Sequence, residues 1–235
     1  MSAVARPASG RSRGTAILVP PWKVPGLGVV GGYARLLRRA GFDVWTLVPP
    51  RHLHRASPGT RSGEGFVSPD LGVLKAALEQ LVLELRVLAA LARARGGETA
   101  MVGLSLGALG AALAATAPER VDRVALVAPP ADLAAVLAGT RIGRRYARLA
   151  ARAGVPLPLR AEVEAMLAPF RPGARRPTAG RLFLAAGRED RIALQAGTLA
   201  LARAWGVEPL LYPRGHLTLL FACRALRHDL ARFLA

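Results

Sequence analysis

The stretch TAMVGLSLGALG, residues 99–110, changes character in its middle. Residues 99–104 are short and apolar throughout rather than alternating, as a parallel strand buried on both faces requires. Residues 106–117 are rich in Ala and Leu and read as a buried helix. Ser105 stands at the junction, framed by Gly103 and Gly107 as G-x-S-x-G. A serine on a tight strand-to-helix turn presents its hydroxyl at the edge of a sheet. The glycines let the backbone turn and keep side chains away from it. The surrounding run Ala100–Pro118 carries no charge and comes close to the length of a membrane span. Its three glycines and closing proline favour a strand running into a helix instead.

Outward from this junction the pattern repeats. Short β-prone runs occupy Thr15–Val19, Asp43–Val48, Thr99–Leu104, Val121–Val127, Arg181–Ala185 and Glu208–Tyr212. Helical runs cover Val29–Ala40, Asp70–Arg95, Leu106–Ala117, Ile192–Trp205 and Thr218–Leu234. This alternation predicts an α/β fold with a mostly parallel sheet of about six strands flanked by helices. Two segments interrupt it. Arg51–Pro69 is rich in Gly, Pro and Ser and reads as a long loop, with Asp70 as N-cap of the next helix. Residues 132–178 read as an inserted small helical cap, two short helices around GVPLP at 154–158. The expected organisation is a flexible tail over 1–13 and one domain over 14–235.

Length and composition agree with one domain. The chain has 235 residues, 52 % of them hydrophobic, enough for a large core. The net charge of +18 comes almost wholly from arginine, since Lys23 and Lys75 are the only lysines. The arginines are spread along the chain, so no nucleic-acid-binding block is evident. Cys223 is the single cysteine, which excludes an internal disulfide; its neighbours predict a buried helical position. Residues 1–13 lack the apolar core of a signal peptide, so a cytoplasmic location is expected. No zinc or calcium loop occurs.

A serine hydroxyl is a poor nucleophile until a base takes its proton, and the base needs a third group to fix its tautomer. His216 follows the run Glu208–Tyr212, and Asp190 follows Arg181–Ala185. Both therefore fall at the same sheet edge as Ser105, where open parallel sheets carry their sites. Glu189 and Asp132 are the competing acids. His52 and His54 come too early in the chain order serine, acid, histidine, and His228 lies within the last helix. A second G-x-S-x-G, around Ser12, has no strand before it. The oxyanion needs two backbone N–H donors. Leu106 supplies one, at the helix start. In PPWK, residues 20–23, the prolines have no N–H, so Trp22 is the first available donor and Lys23 the next.

Residues 14–128 and 180–235 resemble the α/β-hydrolase superfamily, through the GLSLG turn, the GRED acid turn and the RGH turn before the last helix. The stretches PPWKVPG and HLHRASPGTRSGEGF resemble a bacterial branch of it. The resemblance implies a serine hydrolase that cleaves an ester or related acyl compound without a cofactor. Two departures stand out. Pro20-Pro21 replaces the usual His-Gly, and the two antiparallel leading strands are missing or reduced to residues 1–13. A competing motif, Gly26-x-Gly28-x-x-Gly31, matches the NAD(P)- or FAD-binding fingerprint of an oxidoreductase. It is separated from the preceding strand, and no acid follows the next one. A third reading is a non-catalytic binding protein of the same fold. Finally, Arg141, Arg144, Arg145, Arg148 and Arg152 share one face of a predicted helix, with Ile142, Tyr146, Leu149 and Ala153 on another. The basic face is expected either to be merely solvated or to meet an anionic substrate or, weakly, an anionic membrane surface.

Overall fold

A computed structural model describes residues 1–68 and 70–235. Pro69, the last residue of the expected long loop, lies outside the described residues. The strands are β1 (Ala3–Arg6), β2 (Gly14–Val19), β3 (Phe42–Leu47), β4 (Glu98–Leu104), β5 (Arg123–Val127), β6 (Arg181–Gly187) and β7 (Leu210–Tyr212). They form one sheet in the order β1-β3-β2-β4-β5-β6-β7. The six from β2 onward are mutually parallel, as expected.

The seventh corrects the reading of residues 1–13 as a flexible tail. Residues 3–6 pair antiparallel with β3, from Ala3 opposite Leu47 to Arg6 opposite Val44. All four are exposed, so they bury nothing that would write an apolar signal into the sequence.

The helices are α1 (Gly31–Arg39), α2 (Leu71–Ala94), α3 (Leu106–Ala114), α4 (Leu133–Gly139), α5 (Arg141–Arg152), α6 (Arg160–Leu167), α7 (Gln195–Trp205), α8 (His216–Ala222) and α9 (Arg224–Leu234). Helices cover both faces of the sheet, which explains the uninterrupted apolar strands. Ile17, Met101, Val124 and Leu184 point into the core beneath α2, α3 and α7. Their chain neighbours Ala16, Leu18, Val102, Ala125 and Phe183 point into the opposite core, beneath α1, α8 and α9.

Asp70 caps α2 as expected, its carboxylate accepting the N–H groups of Gly72 and Val73. The run Ala100–Pro118 resolves into β4 and α3, and among the described residues no helix is long and apolar enough to cross a membrane. The insertion between β5 and β6 holds three helices rather than two. Thr140 separates α4 from α5 and caps the latter through Ile142 N–H. The predicted last helix is broken at Cys223, which is buried but extended (φ −87°, ψ 104°) and caps α9 instead of sitting within a helix.

β2 neighbours β3 on one side and β4 on the other, so the strand order reverses there. The loops leaving the C-terminal ends of β2 and β4 diverge at this point and leave a crevice, the usual site position in such sheets.

Candidate active site

Ser105 lies at the C-terminal end of β4, where the chain turns into α3. Its backbone is left-handed, φ 53° and ψ −117°, one of five non-glycine residues with positive φ among those described. Such a conformation costs about 1–3 kcal/mol and persists only where its surroundings dictate it. Here Ser105 N–H is tied to Val127 O on β5 at 2.8 Å. The flanking glycines are required sterically. A Cβ on Gly103 would lie 2.4 Å from Gly107 O, and one on Gly107 would lie 2.3 Å from Val19 O. Gly107 therefore lets α3 start directly against the end of β2. Gly107→Ala is expected to destabilise the fold by about 1–3 kcal/mol through overpacking, read as a lower urea midpoint.

Asp190 lies in the turn after β6 and His216 begins α8 after β7. The two turns are pressed together: a Cβ on Gly187 would sit 2.2 Å from Arg214 O, and Glu189 N–H donates to that same oxygen at 3.2 Å. The three side chains form one hydrogen-bonded line. His216 Nε2 is 2.9 Å from Ser105 Oγ, and His216 Nδ1 is 2.6 Å from Asp190 Oδ2. The carboxylate can only accept, so the network assigns the proton to Nδ1 and leaves Nε2 free to accept from Ser105. The other oxygen of Asp190, Oδ1, accepts the N–H groups of Ile192 at 2.8 Å and Ala193 at 2.9 Å. All three residues are buried, with 6–8 % of their surface exposed.

The competing residues stand elsewhere. Glu189 is exposed. Asp132 caps α4 through Ala135 N–H at 3.0 Å. His54 meets Ser2 Oγ at 2.9 Å, and His228 is exposed on α9. Ser12 donates to Gly14 O at the opposite end of β2.

Of the two expected oxyanion donors, Leu106 is the first residue of α3, so its N–H has no intrahelical acceptor. In the loop after β2, Lys23 N–H is committed to His52 Nε2 at 3.1 Å, which leaves Trp22 N–H. A cleft of about 260 Å³ opens beside Ser105 and His216, lined by Trp22, Lys23, Val29, Ile142, Ile192 and Leu217 among others. Lys23 is its charged member, and Glu64 stands 3.5 Å from Lys23 Nζ and 3.7 Å from Arg145. Among the described residues no three His, Cys, Asp or Glu side chains come together as metal donors would.

The glycine fingerprint at 26–31 has none of the geometry that a dinucleotide needs. None of its three glycines has positive φ, and a Cβ on Gly26 or Gly28 would meet nothing within 4 Å. Gly26 and Gly31 flank a short 3-10 turn, Leu27–Val30, that contains Gly28, rather than a tight turn straight off a strand.

No protein-family model and no curated protein matches the chain. Solved structures do, at low identity. The monoacylglycerol lipase of Paleococcus ferrophilus is similar over 100 % of this chain and 98 % of its own, with 19 % identity and a TM-score of 0.61. The enol-lactonase of Burkholderia xenovorans is 18 % identical over 99 % of this chain and 95 % of its own, with a TM-score of 0.55. Acetyl xylan esterase 1 of a Thermoanaerobacterium species is 16 % identical over 99 % and 77 %, with a TM-score of 0.67. The chain has the α/β-hydrolase fold. Pro20-Pro21 follows β2 directly, and one antiparallel leading strand is present, β1.

Proposed function

We propose that the chain is a serine hydrolase that cleaves carboxylic esters or related acyl compounds through an acyl-serine intermediate. One observation carries this reading: the unbroken line Asp190–His216–Ser105, ending on a strained serine that faces an apolar cleft. His216 Nε2 takes the Ser105 proton as Oγ attacks the acyl carbon. The C=O oxygen becomes an oxyanion between the N–H groups of Leu106 and Trp22. His216 then gives the proton to the departing alcohol oxygen, leaving the acyl group on Ser105. Water, deprotonated by His216, hydrolyses that ester by the reverse of the same steps. Asp190 stays ionised and holds the imidazolium. The names of the lipase, lactonase and esterase of like fold belong to the same reaction class. The apolar lining favours a hydrocarbon acyl group. A fluorophosphonate probe tests the proposal: it should label the protein once, at Ser105, and abolish turnover of an activated ester. Labelling elsewhere, or none, would sink it.

The cap supports a finer reading, of an anionic substrate. On α5, Gly143, Tyr146 and Ala150 are buried and Ile142 and Leu149 half-buried, while Ala153 falls beyond the helix as its exposed C-cap, a correction to the predicted apolar stripe. Arg141, Arg144, Arg148 and Arg152 are exposed, while Arg145 turns toward Glu64. Val155, Leu157 and Leu159 project from the next loop, 39–70 % exposed. This combination suits an anionic ester or a lipid surface bearing one. Electrostatic guidance is screened over about 10 Å at 0.1 M salt. Turnover of a negatively charged ester should therefore fall as salt rises, and that of a neutral ester of equal length should not. The triple change Arg141→Gln, Arg144→Gln, Arg148→Gln should erase the difference. Equal salt responses in the wild type would remove the basic face from substrate choice.

A further inference from the structure

The loop after β2 lacks the residues that normally shape it, yet three consecutive members are each held by the segment 52–63. Trp22 donates its indole N–H to Gly63 O at 2.8 Å. Lys23 donates its backbone N–H to His52 Nε2 at 3.1 Å. Val24 accepts through its carbonyl from Ser62 Oγ at 2.6 Å, and Ser62 in turn accepts Leu53 N–H at 3.1 Å. We propose that His52 is a positioning residue, the centre of a clamp that fixes residues 22–24 so that Trp22 N–H faces the oxyanion. The proposal rests on the reading of Ser105 as nucleophile.

Three features argue for a built device rather than a core-filling side chain. His52 is fully buried, and both of its ring nitrogens are used. Nδ1 bonds to Pro50 O at 2.8 Å, and a carbonyl can only accept, so Nδ1 carries the proton and Nε2 is the acceptor that Lys23 N–H requires. An apolar side chain would fill the same space at no polar desolvation cost. Second, backbone strain collects here. Lys23 (φ 60°), Arg51 (φ 61°) and Leu53 (φ 51°) are three of the five non-glycine residues with positive φ among the described residues. A strained Lys23 holds its conformation only while something over-determines it, and the bond to His52 does so. Third, the space is closed. Gly63 (φ 76°) leaves no room for a side chain, since a Cβ would lie 2.8 Å from His52 Nε2 and 3.0 Å from Lys23 N. Burial, with Arg55 nearby, lowers the imidazole pKa against the opposing Pro50 bond and so favours the neutral ring. A ring protonated at both nitrogens would have no acceptor for Lys23.

Loosening the clamp should move Trp22 N–H while leaving Ser105, His216 and the opposite wall of the cleft, formed by Ile142, Ile192 and Leu217, in place. An oxyanion donor acts on the transition state and hardly on bound substrate, so the loss belongs in kcat. His52→Leu is expected to lower kcat by about 10- to 100-fold with KM within about threefold. A boronic acid that mimics the tetrahedral intermediate should lose affinity in parallel. His52→Gln, whose side-chain oxygen reaches toward the place of Nε2, should recover most of the loss. Nitrogen-15 spectra of the wild type should show His52 protonated at Nδ1 and bare at Nε2. A folded His52→Leu protein with unchanged kcat, a loss confined to KM, no recovery in His52→Gln, or a protonated Nε2 would each overturn the clamp. If His52→Leu fails to fold, Ser62→Ala releases Val24 instead and should still lower kcat at constant KM; an unchanged kcat there overturns the proposal. Failure of the nucleophile reading looks different: the wild type would neither label with fluorophosphonate nor turn over ester, whatever the state of His52.

Discussion

Ser105→Ala should lose all fluorophosphonate labelling and cut kcat on an activated ester by roughly 10⁴- to 10⁶-fold. The substitution removes the attacking oxygen and little else. Alanine has the same Cβ as serine, and the bond from residue 105 N–H to Val127 O is a backbone bond that survives. The protein should therefore remain folded with near-native stability, which separates lost chemistry from lost structure. His216→Ala should cost a similar factor. The double variant should be hardly worse than either single one, because nucleophile and base act as a unit. Ser12→Ala is the control, since that hydroxyl lies at the far end of β2. Labelling that survived Ser105→Ala but vanished in Ser12→Ala would overturn the assignment.

Asp190→Asn should lower kcat by about 10⁴-fold with the fold retained. The asparagine carbonyl can still accept the N–H groups of Ile192 and Ala193, so the turn is kept. Its amide NH₂, in the place of Oδ2, would face His216 Nδ1 as a donor. The imidazole must then carry its proton on Nε2, where it can no longer accept from Ser105. Glu189→Gln should change kcat little, because that side chain is exposed. Asp132→Asn should also leave kcat alone, with at most a small loss from the α4 cap. Steady-state kinetics on one activated ester compares all three. A severe loss in Glu189→Gln or Asp132→Asn, with Asp190→Asn unaffected, would move the acid.

The parallel strands were legible because burial on both faces writes a continuous apolar run into each. Ser105, Asp190 and His216 were legible because each follows such a run, so one edge of the sheet collects them. Residues 3–6 escaped because an exposed edge strand needs no apolar side chains. The break at Cys223 escaped because helical periodicity continues through it; the chain departs only in backbone angles and a sulfur cap on Leu226 N–H. The cap was read as two helices because α4 and α5 are parted by the single residue Thr140. Gly143 lets them meet, since a Cβ there would lie 1.9 Å from Leu137 O. His52 was set aside because its place in the chain excludes it as a base. Its bond to Lys23 depends on how two loops 29 residues apart meet, and no local pattern records that.

The four residues of β1 also bear on how the molecule behaves among its own copies. β3 is six residues long and includes Phe42, Val44, Trp45 and Leu47. Left at the rim, its free N–H and C=O groups would be a template for a strand from another chain, the ordinary route to ordered aggregates. Ala3–Arg6 occupies those groups and replaces a long rim with a short one that ends in Arg6 followed by Pro7, a charge and a residue with no N–H to offer. At the other rim β7 is only three residues long. Both borders of the sheet are thus short, and residues that carry no chemistry cover the rim that would otherwise invite pairing.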